Sequence, residues 1–338
     1  MEVAATSAGS GLDDSARFTM RFYDIFNGDA DGICALLQLR LDEPHDSTLI
    51  TGVKRDIDLL ARVDAARDDD LTVLDVSMHS NAQALRRALD AGARVRYFDH
   101  HFAGEIPSAP NLEAHIDTAP DTCTSLIVDR HLGGRQRAWA VVAAFGDNLA
   151  AAATAAAAPL GVNAAQLATL RELGELINYN AYGDSVADLH FDPAELYRTL
   201  AQCRDPLQFV ERGPAFDRLR LGYRQDMDAA LGLHAEAQTP AAAVFVLPDT
   251  AWARRVSGSF ANHLASSHPE RAHAVLMRKA DTFQVSVRAP QSRPSGADAL
   301  CRAFESGGGR AGAAGINRLA QADYPRFVAA FERQFAAP

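Results

Sequence analysis

Val95-Arg96-Tyr97-Phe98-Asp99-His100-His101 is a short apolar run that ends in three side chains able to hold a metal. It reads as a buried strand, and two other strand-like runs end alike. Phe22-Tyr23-Asp24-Ile25-Phe26 leads into Asn27-Gly28-Asp29-Ala30-Asp31-Gly32, and Leu71-Thr72-Val73-Leu74 leads into Asp75. In an open parallel α/β sheet the ligand sits beyond the carboxyl ends of the strands. The three ends are therefore expected to share one crevice that collects Asp29, Asp31, Asp75, Asp99 and His100. So many carboxylates cannot all stay ionised side by side without a compensating charge, and a divalent cation is the usual compensation.

Working outward, Ile33 to Leu41 carries apolar residues at helical spacing directly after the acidic loop, which opens an α/β unit. Leu49 to Val53 is a further strand candidate. Lys54 and Arg55 at its end read as a solvated loop pair or as a phosphate contact. Asn81 can cap a helix through Leu89, which passes by way of Gly92 into the strand before Asp99. Ala114 to Asp117 reads as another short strand, and Thr124 or Ser125 as the cap of a helix through Leu132. This repeated alternation predicts a parallel sheet. Trp139 to Ala156, Ala164 to Tyr179 and Pro193 to Gln202 are then helix-prone. Gly146-Asp147 interrupts the first of these, and Gly183-Asp184 follows the second.

Residues 205–236 are charged and helix-compatible, with a break at Gly213-Pro214, and read as a helical connector. Beyond them come a strand over Ala241 to Leu247, a helix near Ser259 to Ser266, and strands over Ala272 to Met277 and Thr282 to Arg288. Last comes Gly307-Gly308-Gly309-Arg310-Ala311-Gly312-Ala313-Ala314-Gly315. Glycine at this density lets backbone amides approach an anion, and Arg310 adds a forked donor.

The chain has 338 residues, enough for about two domains. Its 33 basic and 43 acidic side chains give a net charge of −10. A grip on long nucleic acid through many phosphates calls for a basic protein, so a small anionic substrate is the better expectation. Cys34, Cys123, Cys203 and Cys301 lie far apart, with no zinc-knuckle or disulfide spacing. That suits a reduced cytoplasmic setting. The longest apolar tract, near Leu149 to Leu160, is mostly alanine and predicts no membrane span.

Taken together, NGDADG at Asn27 to Gly32, the lone Asp75, DHH at Asp99 to His101 and GGGRAGAAG near the C-terminus resemble the DHH phosphoesterase superfamily and its C-terminal DHH-associated domain. The resemblance implies an α/β chain in four parts. These are a flexible tail at 1–19, a parallel-sheet, metal-binding catalytic domain at 20–204, the connector at 205–236, and a smaller α/β substrate-binding domain at 237–338. It further implies two divalent cations, manganese or else magnesium, cutting phosphodiester or phosphomonoester bonds of dinucleotides, short oligonucleotides or small nucleotides. In this pattern Asp75 bridges both cations, Asn27 and Asp29 complete the first site, and Asp31, His100 and Asp147 complete the second, with Asp184 as the rival of Asp147. Asp99 would orient the ring of His100. His101 would meet substrate phosphate, while Arg288, Gly308, Gly309 and Arg310 would hold the far end of the substrate.

Two positions depart from the family pattern. Asn27 stands where histidine or aspartate is common, and a neutral amide oxygen is a weaker ligand for a hard cation. Arg310 stands where histidine is common; it cannot carry a proton but can bind phosphate bidentately. A RecJ-type single-strand exonuclease and a nucleotide-binding regulatory protein with a degenerate metal site are the alternative functions. A homodimer is compatible with the sequence.

Overall fold

The computed structural model describes residues 20–336. The tail expected at 1–19 lies outside them. The N-terminal half contains β1 (Phe22–Phe26), α1 (Ala30–Asp42), β2 (Thr48–Ile50), β3 (Asp70–Leu74), α2 (Ala82–Ala91), β4 (Arg94–Asp99) and β5 (Leu112–Ile116). Helices α3 (Thr124–His131), α4 (Arg137–Gly146), α5 (Ala150–Ala157), α6 (Ala164–Asn180), α7 (Pro193–Leu200), α8 (Pro206–Arg212) and α9 (Pro214–Leu231) follow. All five strands are parallel, in the order β2-β1-β3-β4-β5.

Side chains alternate across a strand, so one strand feeds two cores. Ile25, Leu71, Val73, Val95 and Tyr97 pack beneath α2, while Phe26, Leu74 and Phe98 pack against α1, α3, α4 and α6. The strand order reverses at β1, whose neighbours β2 and β3 lie on opposite sides. Connections leaving the carboxyl ends of β1 and β3 diverge at such a switch point and leave a crevice. That crevice is where Asn27 to Asp31 and Asp75 emerge.

The C-terminal half contains β6 (Ala237–Gln238), β7 (Ala242–Leu247), α10 (Ala251–Ser267), β8 (Ala272–Arg278), β9 (Thr282–Arg288), α11 (Ala297–Arg302), β10 (Gly307–Arg310), β11 (Ala313–Ala320) and α12 (Tyr324–Phe335). Its sheet runs β10-β11-β9-β8-β7-β6 and is mixed, only β7 and β8 being parallel. Phe304, Phe327, Phe331 and Phe335 seal one face. On the other face, Val256, Phe260 and Leu264 of α10 join Tyr179 of α6 and Met227 of α9 in one cluster. The two halves thus meet through α10.

The segment expected as a helical connector over 205–236 holds α8 and α9, with Phe209, Phe216 and Leu219 packed in the N-terminal core and Met227 and Ala230 in the α10 cluster. The helix-prone segment over Trp139 to Ala156, with its interruption expected at Gly146-Asp147, forms two helices parted at 147–149, where Asn148 takes a left-handed φ of 62°. The helix expected near Ser259 to Ser266 is the end of the longer α10. The glycine stretch forms an antiparallel hairpin. There Gly309, at φ 136°, lies so close to β11 that a Cβ would meet Ala314 Cα at 2.5 Å, whereas a Cβ on Gly308 would meet nothing. Close strand pairing therefore explains Gly309.

Candidate metal centre

Each acidic side chain at the strand ends is set by a specific backbone device. Asp29 caps α1, its Oδ1 accepting from the backbone N–H of Asp31 at 2.9 Å and of Gly32 at 3.1 Å. Asp31 in turn accepts from the N–H groups of Thr124 and Ser125, both at 2.7 Å, and so caps α3 from across the site. The expected cap from the hydroxyl of Thr124 or Ser125 is absent; the Thr124 hydroxyl instead donates to Asp75 at 3.2 Å. Asp75 itself takes a left-handed φ of 59° immediately after β3, the kind of backbone strain that persists where surrounding structure over-determines a functional side chain.

The approach of α4 completes the group. A Cβ on Gly174 of α6 would meet Val142 O at 2.1 Å, and one on Gly146 of α4 would meet the Cβ of Ala30 at 2.4 Å. Without side chains at these crossings the helices close up and carry Asp147 to the strand ends. Ligand atoms of Asp31, His100 and Asp147 come within 4.8 Å of one another, as do those of Asp75, His100 and His101. His100 Nε2 lies 3.5 Å from Asp75 and 4.0 Å from Asp31. Asp31, Asp75 and Asp99 are almost wholly buried.

The electrostatics of the cluster call for a positive charge. Burial, and then the charges of Asp31, Asp29, Asp99 and Asp147, push the Asp75 carboxyl well above the usual carboxylate range. Burial followed by Asp31 and Asp29 raises Asp147 to about 7. His101, its Nδ1 2.7 Å from Asp99 Oδ1, is raised above the ordinary histidine value chiefly by that hydrogen bond. Asp99 thus orients His101, not His100 as expected.

No family model matches the chain, and no curated protein matches it in sequence. Solved structures do match. The chain superposes on the exonuclease RecJ bound to manganese with a TM-score of 0.52 at 17% identity, covering 94% of this chain and 91% of that one. For the DHH domain of a member of a family of ribosomal proteins the TM-score is 0.59 at 12% identity, with 93% and 86% covered. A pGpG-specific phosphodiesterase from Vibrio cholerae gives 0.55 at 17% identity, with 94% and 99% covered. The chain has the DHH fold.

Within the DHH fold, the residues implied for the second cation fit one. Asp31, Asp75 and Asp147 offer carboxylate oxygens and His100 an imidazole nitrogen, a donor set suited to manganese or magnesium. Asp184 lies elsewhere, paired with Lys279 and, at 3.1 Å, with Arg254. The residues implied for the first cation do not fit one. Lys54 Nζ sits 2.5 Å from Asp29 Oδ2, 3.1 Å from Asn178 Oδ1 and 3.8 Å from Asp147. Asn27 spends its amide on the backbone, Oδ1 accepting from Asp29 N–H at 3.2 Å and Nδ2 donating to Lys54 O at 3.2 Å. Burial opposes charge on both partners, yet their mutual attraction prevails. Asp29 is held below its ordinary value and Lys54 well above its own.

The pocket around these side chains, about 170 Å³, is lined by Asn27, Asp29, Lys54, Asp75, both histidines and Asp147. At Lys54 and Asp147 it adjoins a cleft of about 820 Å³ between the two halves. Arg255, Asn262, Arg288 and Gly312 line that cleft from the C-terminal side, and Arg171, Asn178, Tyr179 and Tyr182 from the other. Arg288 donates to Asn262 Oδ1 at 3.0 Å and to its neighbour's carbonyl, and has no carboxylate partner among the described residues. Burial, against a smaller opposite effect of Tyr182, lowers its pKa. Gly308, Gly309 and Arg310 are on the edge hairpin and do not line the cleft; Arg310 is exposed.

Three contributors escape the sequence reading. Asn178 holds Lys54; Thr124 touches Asp75; and Tyr179 joins His190, Asp226 and Arg255 in a network that ties α6 and α9 to α10 across the cleft. Only the hydroxyl of Thr124, next to a helix start, left a local signal.

Proposed function

We propose that the chain is a metal-dependent phosphoesterase that hydrolyses a phosphate ester in a dinucleotide, short oligonucleotide or small nucleotide. One observation carries the reading. The carboxylate pocket opens past Lys54 and Asp147 into a cleft of ligand size, about 820 Å³, whose far wall presents Arg288 without an acidic partner among the described residues. A half-buried guanidinium free of carboxylates is a receptor for a phosphate.

Asp31, Asp75, Asp147 and His100 would hold a divalent cation, manganese or magnesium. Once bound, it supplies Lewis acidity at a phosphoryl oxygen and lowers the pKa of an attacking water. Asp99 fixes the His101 ring through Nδ1, which leaves Nε2 to donate a proton toward the phosphoryl group or the leaving oxygen. Arg288 and the tyrosines of the cleft would bind the remainder of the substrate, so the length of the cleft limits the length of the chain cleaved. Among the described residues no helix is long and apolar enough to cross a membrane.

The test is a manganese-supplemented panel of dinucleotides, nucleotide monophosphates, oligonucleotides of increasing length and a long single strand. Rates that fall steeply with length support the proposal. Processive digestion of the long strand replaces it with the exonuclease, and nucleotide binding without any cleavage replaces it with the regulatory protein.

A further inference from the structure

The pocket contains a cation of its own. The outward oxygen of Asp29 is held by Lys54, and the lysine is fixed at both ends. Its backbone N–H donates to Ala181 O at 3.0 Å, its carbonyl accepts from Asn27, and its ammonium also bonds Asn178 and lies 5.6 Å from the centre of the Tyr182 ring. Asn27 is suited to this arrangement. A carboxylate there has no N–H to give the Lys54 carbonyl, and the amide of Asn27 both clamps that carbonyl and steadies the Asp29 backbone. Asn27 and Lys54 therefore act together. The residue that would have been a metal ligand instead positions a lysine whose ammonium fills the cation's place.

We infer that this chain takes one divalent cation rather than two, and that the Lys54 ammonium is the permanent second positive charge of the centre, facing the same phosphoryl group. Asp29 offers a dication no open oxygen, since Oδ2 lies 2.5 Å from Nζ and Oδ1 already accepts from the backbone N–H groups of Asp31 and Gly32. Displacing the lysine would break its closest ion pair and leave its ammonium with Asn178, the Tyr182 ring and Asp147, which at 3.8 Å is itself one of the ligands proposed for the cation. The remaining ligands, Asp31, Asp75, Asp147 and His100, make a single site. A fixed ammonium gives charge without an exchangeable ligand position, so the rate should rise with a single-ion dependence on manganese.

The inference rests on the metal-centre reading above, and the test separates the two. The whole chain is equilibrated with manganese chloride alone, bound metal is counted by dialysis and elemental analysis, and the electron paramagnetic resonance spectrum is recorded. One ion per chain with an uncoupled six-line spectrum is expected. Two ions with exchange coupling would overturn the inference and leave the metal centre standing; no bound ion would overturn both. The double variant Asn27→His/Lys54→Met restores an imidazole and releases Asp29, and should bind a second ion. A folded double variant that still binds one ion would overturn the role given to Lys54. Should the variant fail to fold, the count on the wild-type chain still decides. In turnover, Lys54→Gln should lose roughly a hundred- to a thousandfold, as for removal of a preorganised charge at a reacting oxygen. Its count should stay at one ion, and an unchanged rate would contradict the proposal.

Discussion

Replacing Arg288 by alanine removes the one half-buried cation of the cleft wall that, among the described residues, has no carboxylate to answer to. Two of its donors are accounted for by Asn262 and the Val287 carbonyl, and the rest of the fork is available to a phosphate. Hydrogen bonds to a charged group are worth about 1.5–3 kcal/mol. At about 1.4 kcal/mol per tenfold, the specificity constant on a dinucleotide should fall roughly ten- to 150-fold. Arg288→Lys keeps the charge, loses the fork and should fall between. Bis-p-nitrophenyl phosphate has no second nucleotide to hold and should be cleaved almost as before. Arg310→Ala, on the exposed edge hairpin, should change neither substrate by more than about twofold, because an exposed charge outside the cleft contributes little. Kinetics of the three variants on the two substrates suffice. Equal losses of Arg288→Ala on both substrates, or a loss at Arg310 as large as at Arg288, would refute the assignment of the distal contact.

Two further predictions concern the scaffold. His273 is fully buried and, among the described residues, has no partner for either ring nitrogen, and burial, aided by Arg271 and His268, lowers it from 6.5 to about 4. Because protonation then favours the unfolded chain, its contribution is complete above about pH 6.5 and is lost as pH falls through about 4. Urea titrations should show His273→Leu gaining on the wild type over that window by up to about 3 kcal/mol, and parallel curves would exclude the effect. Gly174→Ala places a methyl where only 2.1 Å separates it from Val142 O. It should cost about 1–3 kcal/mol by overpacking and, by pushing α4 away, weaken manganese binding through Asp147; a neutral melt with unchanged metal affinity would show that the crossing does not position the ligand.

How much was legible in the sequence follows from the range of each interaction. Strand ends announce themselves locally, so the gathering of Asp29, Asp31, Asp75 and His100 could be read from three apolar runs. The parallel sheet followed from alternation alone. Lys54 read as half of a solvated pair because its partners Asn178 and Ala181 lie more than a hundred residues downstream. Asp147 and Asp184 both follow a glycine, and only the fold shows that Lys279 and Arg254 neutralise the second. The cap rule pointed to Thr124 or Ser125 as the nearest hydroxyls, whereas the acceptor is Asp31, reached only by tertiary packing. Glycine density does not announce a hairpin whose partner strand is also small; the pairing with β11 shows only in the fold.

The central claim is that the acidic cluster at the strand ends is a metal centre for phosphate ester hydrolysis. Its most direct test compares manganese-dependent hydrolysis of a dinucleotide by the wild type and by Asp75→Ala, with bound manganese counted in both. The carboxyl of Asp75, on its left-handed turn, lies 3.5 Å from His100 Nε2 within the proposed donor set. The account predicts turnover in the wild type that chelation abolishes and metal restores, and a variant that remains folded but neither turns over nor retains its ion. Hydrolysis at the wild-type rate by a folded Asp75→Ala, or turnover indifferent to chelation, would contradict it.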